Sequence, residues 1–119
     1  MIIIESFQHV NVPAVDIDKS IEFYTMFFDF ELTLKEENSA IVSFDNLTLK
    51  LQQVEKSEEN ENKVPLLSFI MDVDDFTEAL QDIEENAIPI VAGPSETSKG
   101  ENIILKDPGG NLLELYYEE

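Results

Sequence analysis

Cysteine, arginine and tryptophan are absent from the chain, and histidine occurs once, as His9. Without cysteine there is no disulfide, no thiolate zinc site and no cysteine nucleophile; that usage suits a reducing compartment, so a cytoplasmic location is expected. Without arginine the usual bidentate clamp for carboxylate or phosphate is missing. The seven basic residues, all lysine, face 26 acidic ones, for a formal net charge of -19. Such a chain repels a phosphate backbone, which argues against nucleic acid as a partner. A cationic partner stays open beside the plainer reading of a solvated acidic surface. Long apolar runs are missing too: Met1, Ile2, Ile3 and Ile4 soon meet Glu5, so neither a membrane span nor a secretion signal is expected.

What remains suffices for a folded body. At 119 residues the chain fits one domain, 1–119, of the usual roughly 100–150 residues. A hydrophobic share of 43% with eight Phe supplies a core in spite of the charge. Residues 7–12 alternate and predict a first strand with His9 and Asn11 on one face, ended by Pro13. Asp16 and Asp18 offer caps for a helix carrying Ile17, Ile21, Tyr24 and Phe28 and reaching about Phe27. Residues 30–35, 40–44 and 47–54 predict three short strands, the last two joined by Asp45-Asn46. The polar, acidic stretch 55–64 predicts an exposed connector between module 1 (about 1–54) and module 2 (about 65–119).

In module 2, residues 66–73 predict a buried strand, and Asp74-Asp75 caps a helix carrying Phe76, Ala79, Leu80 and Ile83 that stops near Asn86. Residues 88–91, 102–106 and 112–117 predict three more strands, the last two joined through a tight turn at 107–111. Lys99-Gly100 is expected to form a mobile flap. The plan β-α-β-β-β thus occurs twice, with Val15-Asp16 answering Val73-Asp74 and Ile21 answering Leu80. The expected fold class is therefore α+β, two βαβββ modules whose sheets pack together, or with those of another chain, around a ligand-sized cleft.

His9-Val10-Asn11-Val12, the helix start from Asp16 to Tyr24, and Asp107-Pro108-Gly109-Gly110-Asn111-Leu112-Leu113-Glu114-Leu115 together resemble the vicinal-oxygen-chelate superfamily. That group includes glyoxalase I, bleomycin resistance proteins and extradiol dioxygenases. The likeness spans nearly the whole chain and implies a U-shaped cleft, a small-molecule ligand and a homodimer. Enzymes of the group place a divalent metal in the cleft, using one ligand from each module's first strand and one from its last. Carried onto this sequence, the first-strand ligand falls on His9 and the last-strand ligand of the second half on Glu114. Two positions depart from the pattern: Ser68 stands where the second half would carry its histidine, and Lys50 near where the first half would carry its glutamate. Thr48 and Gln52 share the face of Lys50 if the register shifts by two.

A lone histidine cannot assemble a 2-His-1-carboxylate iron centre. It also falls short of the His-rich manganese or cobalt sites of the group's antibiotic-inactivating transferases and acyl-thioester epimerases. A catalytic zinc usually takes about three protein ligands, and His9 and Glu114 supply only two. The favoured reading is a cofactor-free small-molecule-binding protein of the bleomycin-resistance type, sequestering a drug-like or cationic ligand, with a Lys50–Glu114 pair in place of the ion. The alternative keeps Ni, Zn or Mn on His9 and Glu114, completed by Gln52, Ser68 or water, in a lyase or isomerase of the glyoxalase I type. A third reading is a non-catalytic regulatory module.

Asn11, Lys50, Gln52, Ser68, Ile70 and Tyr116 are the expected ligand-cleft residues, with His9 and Glu114 as the catalytic candidates. For His9 the plainer expectation is a strand histidine hydrogen-bonded to a neighbour. Glu114 alternates onto the face of Leu112 and Tyr116, where a carboxylate without a purpose would be costly. Phe7, Phe44, Phe69, Ile70, Met71 and Tyr116 are candidates for cleft or core, with the core expected for most.

Overall fold

The computed structural model describes residues 1–55, 64–72 and 75–118, and the chain divides into two compact units, Met1–Lys56 and Ser57–Glu119. Most of the expected connector, together with Val73 and Asp74, lies outside the described residues. Each unit is α+β and holds one four-stranded mixed sheet. Among the described residues no helix is long and apolar enough to cross a membrane.

Unit 1 contains β1 (Val10–Ala14), α1 (Ile17–Glu22), β2 (Glu31–Lys35), β3 (Ser39–Phe44) and β4 (Leu47–Gln53), with sheet order β1-β4-β3-β2. The β1–β4 pair is parallel and the other pairs are antiparallel. The first strand starts later than the alternation predicts and passes through Pro13 instead of stopping there. Proline is tolerated because β1 is an edge strand, with β4 on one side only.

Helix α1 begins where Asp16 accepts the Lys19 backbone N–H at 3.3 Å and Gln53 from β4 accepts that of Ile17 at 3.2 Å. These bonds satisfy N–H groups that have no partner within the helix. The helix continues into a π-helical turn over Phe23–Phe27, close to the expected end. This wider turn gathers Phe23, Phe27 and Phe28, with ring centroids 4.7–5.9 Å apart. Tyr24 is fully buried against Phe30, 5.7 Å away. Beneath the helix, Val12, Ala14, Ala40, Val42, Leu49 and Leu51 form a dry sheet face, because alternate strand residues point the same way.

Unit 2 repeats the plan with β5 (Leu67–Ile70), α2 (Phe76–Glu85), β6 (Ile90–Glu96), β7 (Gly100–Lys106) and β8 (Leu112–Glu118), in sheet order β5-β8-β7-β6. Asp75 caps α2, accepting from the backbone N–H of Thr77 at 2.8 Å and of Glu78 at 3.4 Å. Asn86 closes it, donating from Nδ2 to the Asp82 carbonyl at 2.7 Å. Ile83, Ile103, Leu105, Leu113 and Leu115 are buried, and Phe76 of α2 stacks on Tyr117 of β8 at 5.3 Å. The helix therefore lies on the face of β8 that carries Leu113, Leu115 and Tyr117.

Several boundaries differ from expectation for one reason: strand length is set by the neighbouring strand. β6 runs on to Glu96 because β7 pairs with it as far as Glu96↔Glu101. Gly100 is not part of a flap but opens β7; its N–H donates to Thr97 Oγ1 at 3.0 Å, and a Cβ there would collide with the Tyr117 carbonyl oxygen. The expected buried strand in 66–73 is an edge strand whose burial alternates, leaving Ser68 and Ile70 exposed. Of the six candidates for cleft or core, Phe7, Phe44 and Ile70 are exposed and Phe69, Met71 and Tyr116 half-buried, so none is core. Phe7 precedes the first paired residue of the sheet, and Ile70 sits at a sheet edge.

Candidate functional site

The face of the unit 2 sheet opposite α2 collects a polar cluster on an apolar scaffold. The register runs Ser68↔Glu114↔Ile104 and Ile70↔Tyr116↔Asn102 across three strands. Glu114 is half-buried between the buried Leu113 and Leu115. Ser68 donates from Oγ to Glu114 Oε1 at 3.1 Å, and Asn102 donates from Nδ2 to Glu114 Oε2 at 3.0 Å. Each carboxylate oxygen thus has a donor, which fixes the group's orientation.

The Tyr116 hydroxyl joins the cluster. Its hydrogen bond to Glu114 raises the phenol pKa above 10.0, burial and the Glu114 charge add to the rise, and a hydrogen bond with Asn102 opposes it. The phenol is therefore a proton-bearing donor throughout the neutral range. Because the folded value is raised, the contribution of this arrangement to stability is present below pH 10.0 and is lost as pH climbs through the folded value. Glu114→Gln removes both the charge and the strong acceptor. It is expected to bring the Tyr116 midpoint down toward 10.0, as read by a difference titration of phenolate absorbance.

Asn102 was not singled out from the sequence, although a signal for it exists. The β7–β8 hairpin is symmetrical about its turn, pairing Lys106↔Leu112, Ile104↔Glu114 and Asn102↔Tyr116. Counting outward from the turn therefore sets Asn102 on the Glu114 face. Gly93 helps to hold it there: its φ is +89°, and a Cβ would lie 2.7 Å from the Asn102 carbonyl oxygen. Only a glycine lets β6 approach so closely at that dihedral.

In unit 1 the corresponding row is Asn11↔Lys50↔Ile41. Lys50 lies between the buried Leu49 and Leu51 as Glu114 lies between Leu113 and Leu115, so a lysine occupies the position of the glutamate. The helix caps give a different correspondence, since His9 precedes Asp16 and Ser68 precedes Asp75 by the same interval. The cap equivalent to Asp16 is thus Asp75, one position later than the match of Asp16 with Asp74. The two correspondences differ because the β5–α2 connection is two residues longer than that between β1 and α1, counted from Ser68 to Asp75 against Asn11 to Asp16.

His9 stands just before β1 and its Nε2 lies 3.0 Å from Asn11 Oδ1, the neighbour interaction expected of a strand-end histidine. Lys50 and Gln52 line an open depression of about 350 Å³ with Glu36, Glu37 and Ser39.

The donor set in unit 2 does not by itself fit a divalent cation. Ser68, Asn102 and Tyr116 present hydrogen-bond donors to the single carboxylate, where a metal requires lone pairs. Among the described residues no group of three or more His, Cys, Asp or Glu is placed to hold a metal.

The family model described as "Glyoxalase/Bleomycin resistance protein/Dioxygenase superfamily" matches residues 6–115. The chain belongs to this superfamily. Among its relatives, the metallothiol transferase FosB of Staphylococcus epidermidis is 26% identical over 116 residues, covering 95% of this chain and 82% of that protein. The fosfomycin resistance protein FosX of Listeria monocytogenes, solved as its E126Q mutant with Mn(II) and 1S,2S-dihydroxypropylphosphonic acid, superposes with a TM-score of 0.78 at 15% identity, covering 98% of this chain and 95% of that one. TnmS3, an antibiotic binding protein from Streptomyces sp. CB03234, superposes with a TM-score of 0.69 at 21% identity over the whole of both chains. Proteins of this fold thus include one solved with manganese and one described as binding an antibiotic.

Proposed function

We propose that this superfamily member binds a small cationic organic molecule and works without a resident metal, its anchor being Glu114 on the face of unit 2 opposite α2. One observation carries the reading: the position expected to hold the second-half histidine is Ser68, whose hydroxyl donates to Glu114 at 3.1 Å. A carboxylate held by Ser68 and Asn102 is an oriented anion with lone-pair directions left for an ammonium group. Tyr116 adds a ring edge and a hydroxyl beside it, Ile70 an apolar contact. The net charge of -19 steers cations inward over distances that salt shortens. The use of this fold for antibiotic binding by TnmS3 is consistent with the reading.

Ethidium, a cationic aromatic probe, and anilinonaphthalene sulfonate, an anionic one, separate charge recognition from general apolar binding. Ethidium is expected to bind, and to weaken about tenfold in Glu114→Gln, the equivalent of about 1.4 kcal/mol. It should also weaken as sodium chloride rises to several hundred millimolar. Equal affinity for the sulfonate, or a Glu114→Gln protein that binds ethidium unchanged, contradicts the proposal. The FosX structure with Mn(II) favours a second reading, metal-dependent turnover through Glu114 and His9, which predicts stoichiometric metal lost on Glu114→Gln.

A further inference from the structure

We infer that unit 2 carries a second ligand site, on the α2 face of its sheet, suited to a small aromatic amine in its ammonium form. An open cavity of about 520 Å³ lies there, bounded by Phe76 and Leu80 of α2 and by Pro94, Glu101 and Tyr117 of β6, β7 and β8. Its volume falls among those of ligand pockets, roughly 300–1,000 Å³, and every residue that bounds it belongs to unit 2. Strand alternation keeps it apart from the Glu114 site. Glu101 pairs with Tyr117 and Asn102 with Tyr116, so these two rows point to opposite faces of the sheet.

The walls specify a ring. Phe76 and Tyr117 stack with centroids 5.3 Å apart and ring planes 16° from parallel. Both are half-buried, as is Leu80, so the pair offers a flat apolar surface that a third ring extends by stacking. Beside it stands a carboxylate with nothing to neutralise it. Glu101 is half-buried, and among the described residues neither it nor the Tyr117 hydroxyl has a side-chain hydrogen bond or an ion pair.

The neighbouring strand fixes the sign of the ligand's charge. Glu96 of β6 pairs directly with Glu101, and like charges at opposed positions on one face repel. An ammonium group at Glu101 offsets that repulsion, compensates a carboxylate drawn partly out of water, and is attracted by the aromatic rings beside it. An anion would meet two carboxylates, and a neutral ring would leave both uncompensated.

Tryptamine, an indole carrying one ammonium group, tests this in the Glu114→Gln protein, where the anchor of the first site is gone. The chain has no tryptophan, so indole fluorescence anisotropy reports the ligand alone. Saturable binding of one tryptamine per chain is expected, with amide chemical-shift changes at Phe76, Thr77 and Glu101 and none at Ser68. Adding Glu101→Gln, a near-isosteric change at a side chain with no bonds to lose, is expected to weaken binding about fivefold and to leave the far-UV circular dichroism unchanged. Indoleacetate, which carries the same ring and the opposite charge, is expected not to bind. Absence of saturable tryptamine binding, shift changes centred on Ser68, an affinity that Glu101→Gln leaves unchanged, or equal binding of indoleacetate overturns the proposal. Ethidium binding at Glu114 is read in the wild type, so either site can fail without the other.

Discussion

Replacing Asp107 by alanine is expected to destabilise the protein by about 3 kcal/mol in urea unfolding, because three donors lose one acceptor group at a site closed to water. Asp107 Oδ1 accepts the backbone N–H groups of Gly109 at 2.9 Å and Asn111 at 2.8 Å, and Oδ2 accepts Asn111 Nδ2 at 3.0 Å. Asp107 is 4% exposed and Asn111 0%, so solvent cannot replace those bonds without opening the turn. Gly110 has a φ of +88° and open space beside it, so it is needed for its dihedral and not for room. Asp107→Asn keeps an acceptor on one branch and sets an N–H against a donor on the other. About half the loss is expected. No loss in Asp107→Ala would mean that the turn does not depend on this carboxylate.

Leu113→Ala is expected to have an effect of similar size, about 2–5 kcal/mol. Leu113 is fully buried at the centre of the unit 2 sheet, between Leu67 of β5 and Leu105 of β7. Removing its branched end leaves a cavity in a β-sheet whose backbone is hydrogen-bonded on both sides and cannot collapse into it. Its neighbour Glu114 points the other way, so Glu114→Gln is expected to change stability by less than about 1 kcal/mol while changing ligand affinity. Comparing urea midpoints of these two variants separates the face that supports the fold from the face that carries the chemistry.

That division explains which parts of the fold were legible in the sequence. Helix starts were, because a cap is a local device: Asp16 and Asp75 each sit one residue before an amphipathic run and accept N–H groups from the first turn. The turn at Asp107–Asn111 was legible for the same reason. Strand ends were not, since β6 is prolonged by β7 and β1 runs through Pro13 only because the sheet order makes it an edge. The apolar run around β5 read as buried on both faces, yet an edge position leaves Ile70 exposed, and burial of that kind depends on sheet order alone.

The candidate site divides in the same way. Glu114 and Ser68 could be found by counting from the turn and from the helix cap, and the β5–β8 register puts them side by side. Asn102 was within reach of the same count once the turn at 107–111 is taken as a hairpin, whereas the bonds among Asn102, Glu114 and Tyr116 emerge only from the folded sheet. His9 and Lys50 are placed in unit 1, with Lys50 in the row that answers Glu114. The two rows differ in charge, a lysine in unit 1 standing where unit 2 has a glutamate.

Glu114, held by neutral donors, is proposed to receive an organic cation and not a divalent metal. Electron paramagnetic resonance of Mn²⁺ mixed with an equimolar amount of the protein, with ethidium binding followed in parallel, addresses it most directly. An undiminished six-line signal of the free ion is expected, together with ethidium binding that Glu114→Gln weakens. Loss of that signal at one ion per chain, restored by Glu114→Gln, would contradict it.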